Sequence, residues 1–267
     1  MSALVPADVW TVFDAVRRRG PLVHNLTNYV AMDLSANVLL AAGASPAMVH
    51  AREEAAEFAG IADAVVVNIG TLSAPWVESM FDAARVAAER GIPWVLDPVA
   101  AGATGYRTKV AADLLALRPT VIRGNASEIL ALAGASARGK GVDSTDQSSD
   151  AIDAAQELAR QSGAVVAVTG SVDVVTSIDR TWRVGGGHPL MAKVTAMGCA
   201  ASAVAGAFAA VHEDPLVATT AALAVFGLAG ERAAAEAAGP GSLRWRILDE
   251  LHTLDEPAVV HGVRVAP

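Results

Sequence analysis

The chain has 267 residues, 53% of them hydrophobic and 18% charged, a balance that excludes intrinsic disorder and suits one large α/β domain spanning residues 1–267. A net charge of −8 argues against a nucleic-acid-binding face, which would need clustered lysine and arginine. A single cysteine excludes an internal disulfide or a thiolate metal cage, and the cytoplasm is the expected compartment.

The N-terminal MSALVPADVW has an early aspartate and no basic-then-apolar layout, so no signal peptide is expected. Residues 64–69, AVVVNI, form a β-branched run stopped by Gly70. An amphipathic stretch follows at 75–90, with Val77, Met80, Phe81, Ala84 and Ala87 near helical spacing. Apolar runs at 93–96, 120–122 and 164–168 predict further strands, with helices at 109–117, 127–133 and 149–161. Such alternation indicates a parallel sheet covered on both faces. Residues 134–150 are polar and glycine-rich, either a surface loop or a lid over a site. Residues 172–177 and 181–184 read as a hairpin added antiparallel at one edge of the sheet. The apolar region 199–230 is divided by His212-Glu213-Asp214-Pro215, and each half falls short of the ~20 residues a bilayer span needs. Two packed core helices are expected there, and no membrane span.

In open parallel sheets, ligands bind beyond the carboxyl ends of the strands. Here the apolar runs end in Asn68-Ile69-Gly70, Asp97, Arg123-Gly124-Asn125 and Thr169-Gly170. A buried strand needs only a turn residue at its end, so polar endings in succession point to a site. Later, Gly185-Gly186-Gly187 leads towards Gly198-Cys199, which is expected to open a long helix of small residues. Unpaired amides at a helix start bind anions and favour thiolate over thiol. Cys199 is therefore either a small buried hydrophobe or a reactive sulfur with a lowered pKa; the glycine-rich entry and Thr195 favour the second. The chain lacks the GxxxxGK[ST] phosphate loop, a GxGxxG after its first strand, HExxH, CxxC pairs and GxSxG. His24 and His188 are too isolated for metal ligands and are expected to be ordinary hydrogen-bonded histidines.

Six segments carry a resemblance: HNLTNYVAMDLSANVLLAAGASPAM (24–48), NIGTL (68–72), LDPVAAGAT (96–104), RGNASEI (123–129), VTG (168–170) and KVTAMGC (193–199). In this order and spacing, the chain from about residue 21 to 211 resembles the hydroxyethylthiazole kinase family. The resemblance implies a ribokinase-like three-layer α/β/α sandwich with a mostly parallel central sheet, and a homotrimer with active sites between subunits. It also implies phosphorylation of 4-methyl-5-(2-hydroxyethyl)thiazole by ATP, with Mg²⁺. Carried over residue by residue, it puts the thiazole against Asn25, Met48 and the backbone at Ala196. It matches Arg123 and Thr169 to ATP-contacting positions, Asp97 and Glu128 to positions linked to Mg²⁺ and phosphate, and Cys199 to the catalytic position; independently of it, the helix start at Gly198-Cys199 is expected to bind the triphosphate of ATP. Phosphoryl transfer passes through a loose transition state in which positioning outweighs a strong base, so a cysteine is tolerable there.

The chain departs from the family pattern at Ala196-Met197, where relatives carry TGTGC or a close variant. If the replaced glycine sits at positive φ, alanine there costs on the order of 1 kcal/mol. Three rival readings are a hydroxymethylpyrimidine kinase, a nucleotide sensor without turnover, and a purely structural oligomerisation module, which leaves the polar strand ends unexplained. HNLTNYV and ASPAM favour the thiazole over the first; Cys199, Asp97 and Glu128 together speak against the second.

Overall fold

The computed structural model describes residues 4–136 and 147–267. The chain begins with α1 (Pro6–Arg19), β1 (Leu22–Leu26), α2 (Met32–Ala42), β2 (Ser45–Ala47) and α3 (Arg52–Ala59). It continues through β3 (Ala64–Asn68), α4 (Ala74–Arg90), β4 (Trp94–Asp97), α5 (Gly105–Leu115), β5 (Val121–Asn125) and α6 (Ala126–Ser136). Next come α7 (Gln147–Ser162), β6 (Val165–Thr169), β7 (Val172–Thr176) and β8 (Thr181–Gly185), then a short 3₁₀ turn at Pro189–Lys193. The last elements are α8 (Met197–Ala209), α9 (Pro215–Glu236), α10 (Pro240–Thr253), α11 (Glu256–Gly262) and β9 (Arg264–Ala266).

The strands form one nine-stranded sheet in the order β2-β1-β3-β4-β5-β6-β7-β8-β9. Pairings from β2 to β6 are parallel, and β7, β8 and β9 are added antiparallel. Period-2 alternation divides the sheet's side chains between two cores. Val23, Val66, Val95 and Val121 face the layer of α1, α2 and α8–α11. Val65, Val67, Trp94, Leu96 and Ile122 face α3–α7. Both faces are covered, which is why these strands read as unbroken apolar runs.

The α8 helix lies close along the sheet because its residues are small. A Cβ on Gly206 would stand 2.7 Å from Val66 Cγ2, so a larger residue there would force helix and sheet apart. Only glycine fits.

The four runs between residues 64 and 168 are strands, and the expected helices form with ends shifted by up to four residues. The hairpin is also as expected. Strands β1, β2 and β9 were not foreseen. The ends of the polar stretch 134–150 are helical, as the close of α6 and the start of α7, while its middle lies outside the described residues. Contrary to expectation, one of the two helices reaches span length: α9 runs for 22 residues and is long and apolar enough to cross a bilayer by length and composition. In the fold, 78% of its most apolar window is buried inside the protein, which marks a core helix.

Candidate active site

Parallel pairing aligns the carboxyl ends of the strands along one edge. Asn68 pairs with Asp97, and Asn125 with Thr169. The start of α8 arrives at the same edge. Amide and hydroxyl side chains then join the sulfur to the carboxylate. Asn28 Nδ2 donates to Cys199 Sγ at 3.3 Å and to Asn68 Oδ1 at 2.8 Å. Asn68 Nδ2 donates to Asp97 Oδ2 at 2.7 Å, and Ser202 Oγ donates to the same oxygen at 2.8 Å. Gly70 lets this chain close: a Cβ there would stand 2.5 Å from Asn28 Nδ2.

Asp97 is fully buried, and its Oδ1 has no hydrogen-bond partner. Burial pushes its carboxyl up to about 6, against the pull of Arg123, Ser202 and Asn68; the nearby Glu128 charge adds to the rise. A buried anionic oxygen without a donor is costly unless a ligand meets it. Glu128 is differently placed. Its Oε1 accepts from the Ala100 amide and its Oε2 from the Asn125 amide, both at 2.9 Å. Ala100 itself stands at φ 58°, a left-handed conformation uncommon for alanine and of a kind that concentrates at functional sites. Among the described residues no cluster of three His, Cys, Asp or Glu could cage a metal. The donor set fits a hard, largely hydrated divalent ion held through one or two carboxylates and substrate phosphates. Asp97 Oδ1 would offer a direct ligand, and Glu128 a contact through water.

The Cys199 thiol does not fit the expectation of a lowered pKa. It is half-buried, and burial together with the Asp97 charge pushes it up to about 11. Hydrogen bonds from Asn28 and Asn68 and the Arg123 charge only partly oppose this. Burial of the thiol, more than the neighbouring carboxylate, removes the lowered pKa expected of a cysteine at a helix start. Alkylation of this single cysteine by iodoacetamide is therefore expected to be slow at pH 7. Its rate should rise about tenfold per pH unit to pH 10; a plateau near neutrality would contradict a neutral thiol.

Arg123 reaches across from β5. Its Nη2 donates to Thr169 Oγ1 at 2.7 Å, and its buried Nε has no partner. Gly198 makes room for it, since a Cβ there would stand 2.7 Å from Arg123 Nη1. These three residues line a cavity of about 550 Å³, together with Gly170, Asp173, Gly187, His188, Leu223 and Phe226.

Asn25 and Met48 stand at the other side of the site. Asn25 is buried and donates from Nδ2 to its own strand at Val23 O (3.0 Å), leaving Oδ1 unpartnered. Met48 follows the last β1–β2 pair, His24–Ala47, and is half-buried at the sheet's open edge, outside the Asn28–Asn68–Asp97 chain. His24 and His188 are hydrogen-bonded, His24 Nε2 to Val49 O at 2.7 Å and His188 Nδ1 accepting from the Leu190 amide at 3.1 Å. Burial pushes His24 down to about 4, so it is neutral near pH 7.

Ala196 adopts φ 67° at the start of α8, the conformation that a glycine would take freely. The strain of about 1–2 kcal/mol is offset in part by the smaller conformational freedom of alanine in the unfolded chain, about 0.4–1 kcal/mol. Ala196→Gly is thus expected to raise stability by up to about 1 kcal/mol, read by urea denaturation. A loss of stability would mean that the methyl group packs favourably enough to outweigh the strain.

Asn28 and Ser202 are the parts of this site that motif reading missed. Asn28 lies inside the HNLTNYV segment and Ser202 one helical turn after Gly198, which is the spacing that places both on the sheet edge. Arg107 was also missed. It donates to the carbonyls of Ile69 (2.5 Å), Gly70 (2.7 Å) and Val99 (3.2 Å), tying together the loops that follow β3 and β4.

Three layers, a strand-end site and a helix start facing a cavity that holds Arg123 define a ribokinase-like protein. A ribokinase-like superfamily protein from Enterococcus faecalis shares this fold at TM-score 0.65 and 13% identity, over 94% of this chain and 89% of that one. The model of the hydroxyethylthiazole kinase family matches residues 13–257, and the chain belongs to that family. A hydroxyethylthiazole kinase from Cereibacter sphaeroides is 61% identical over 255 residues, 96% of this chain and 97% of that protein. The structure of a hydroxyethylthiazole kinase from Pyrococcus horikoshii superposes at TM-score 0.91 and 44% identity, covering 97% of this chain and 98% of that one.

Proposed function

We propose that this protein, as a single kinase domain in the cytoplasm, phosphorylates 4-methyl-5-(2-hydroxyethyl)thiazole with ATP, giving the thiazole phosphate and ADP in thiamine biosynthesis or salvage. The observation that carries this reading, beside the family, is the chain of side chains from Cys199 through Asn28 and Asn68 to the unpartnered carboxylate of Asp97.

The triphosphate lies against Arg123, Thr169 and the first amides of α8 at Gly198, which lack partners within the helix. Arg123 suits phosphate oxygens through its planar fork of donors. Asp97, and Glu128 through water, would hold Mg²⁺, which would supply neutralisation of the phosphate charge. The thiazole rests on Met48 and the Ala196 backbone, with Asn25 as its polar anchor. Cys199 touches the attacking hydroxyl as a neutral thiol, held in place by Asn28 Nδ2. It orients the oxygen and excludes water, which is most of what a loose phosphoryl transition state requires. The site is completed in a homotrimer. Tyr29, Val30, Leu40 and Ile61 are exposed on the segments that flank the β2 edge, a patch suited to a second copy of the chain.

A coupled assay of ADP release tests the reading. The thiazole alcohol should be preferred over hydroxymethylpyrimidine by about 10²-fold in kcat/KM. The reverse preference would favour the pyrimidine kinase reading, and ATP binding without turnover on either alcohol would favour a sensor. Sedimentation of the purified protein as a monomer would overturn the trimer.

A further inference from the structure

The cavity beside α8 has two unlike ends. Arg123, Thr169 and Gly198 make one end polar, and Leu223 and Phe226 make the other apolar. A nucleoside triphosphate with its phosphates at the guanidinium and its base on the apolar wall has its ribose between them. Among the described residues that line the cavity, Asp173 is the only acidic one.

Its position in the hairpin links it to both groups of lining residues. On one side Gly170, directly after Thr169, donates its amide to Asp173 Oδ1 at 2.9 Å. On the other, Asp173 pairs with Val184 and Val172 with Gly185. The chain then runs on to Gly187, whose amide donates to Gly227 O at 3.0 Å beside Phe226. Asp173 is thus tied to the polar end through the turn and to the apolar end through the ladder. Gly170 is the one hydrogen-bond donor it meets among the described residues, so its second carboxylate oxygen is left for a ligand. Burial pushes the carboxyl up, while the Gly170 amide and Arg123 oppose the rise. A carboxylate repels phosphate and accepts from hydroxyls. Dinucleotide-binding folds use an acid in the same way on a ribose 2′-hydroxyl.

The geometry points to Asp173 as the ribose-recognising residue of this pocket, its free carboxylate oxygen accepting a hydrogen bond from the 2′-hydroxyl of the bound nucleoside triphosphate. The inference rests on the reading of the cavity as the ATP site. It makes the enzyme selective for ribonucleotides over 2′-deoxyribonucleotides, and it leaves the alcohol specificity untouched.

Affinities for ATP and 2′-deoxyATP, measured by calorimetry on the unmodified protein and its variants, test this. The unmodified protein should prefer ATP by at least about tenfold, the ordinary worth of a hydrogen bond to a charged group. Asp173→Ala should abolish that preference by weakening ATP alone. Asp173→Asn keeps an acceptor for the Gly170 amide, so it guards against a collapsed turn, and its preference should also fall. No preference in the unmodified protein, or the same preference in both variants, would overturn the assignment. Arg123→Ala separates the two failures: it should weaken both nucleotides equally and keep their ratio. If that variant leaves both affinities unchanged, the cavity is not the ATP site, and the broader reading fails with the narrower one.

Discussion

Asp97→Asn is expected to lower kcat by about 10²–10⁴-fold, the range seen when a group acting on the reacting centre is lost. The introduced amide can keep its oxygen towards Asn68 and Ser202, so the fold should survive and the loss should fall on turnover. The same variant should be more stable than the parent. The folded carboxyl titrates at about 6 against an ordinary 3.8, so the folded state holds this proton more tightly than the unfolded one. Stability is therefore lost as pH rises from about 4 to about 6, and above that range the buried charge costs up to about 3 kcal/mol. A neutral amide in its place carries no such charge. Thermal unfolding at pH 7.5 with chelator present should show a melting temperature several degrees higher in the variant. Activity of the parent should fall as pH drops through about 6. A variant with parental turnover, or one less stable at pH 7.5, would contradict the role assigned to the free oxygen.

Arg123→Ala should raise the KM for ATP by about 10–100-fold, the worth of one charge-assisted hydrogen bond to phosphate, with the KM for the alcohol nearly unchanged. Arg123→Lys keeps the charge and loses the fork, so it should recover only part of the affinity. Steady-state kinetics with each substrate varied in turn distinguishes the cases. A change confined to the alcohol KM would place Arg123 on the wrong substrate.

Much of this arrangement is legible in the chain because burial on both faces leaves little freedom in the central strands. Residues 64–68, 94–97 and 165–169 are apolar except at the last position, so the polar terminal residues Asn68, Asp97 and Thr169 stand out. The β1 strand escaped notice because His24 and Asn25 interrupt LVHNL, and β2 and β9 have three residues each, too short for any period. Arg123 and Gly198 could each be singled out, but the close approach that leaves no room for a Cβ on Gly198 depends on how α8 lies along the sheet. Helix-end amides would favour the Cys199 thiolate, but burial, with the Asp97 charge beside it, pushes the thiol the other way, and only the fold reveals that burial.

The apolar character of α9 has a consequence for synthesis. In the finished protein this helix is covered by α1, α8 and α10. Of these, α10 lies after it in the chain, so a ribosome releases a stretch resembling a membrane anchor before all of its covering exists. Until residues 240–253 follow, the nascent chain presents an oily flank to chaperones and insertion machinery alike. Docking of α9 onto α1 and α8, both already made, would cover part of that flank before α10 arrives.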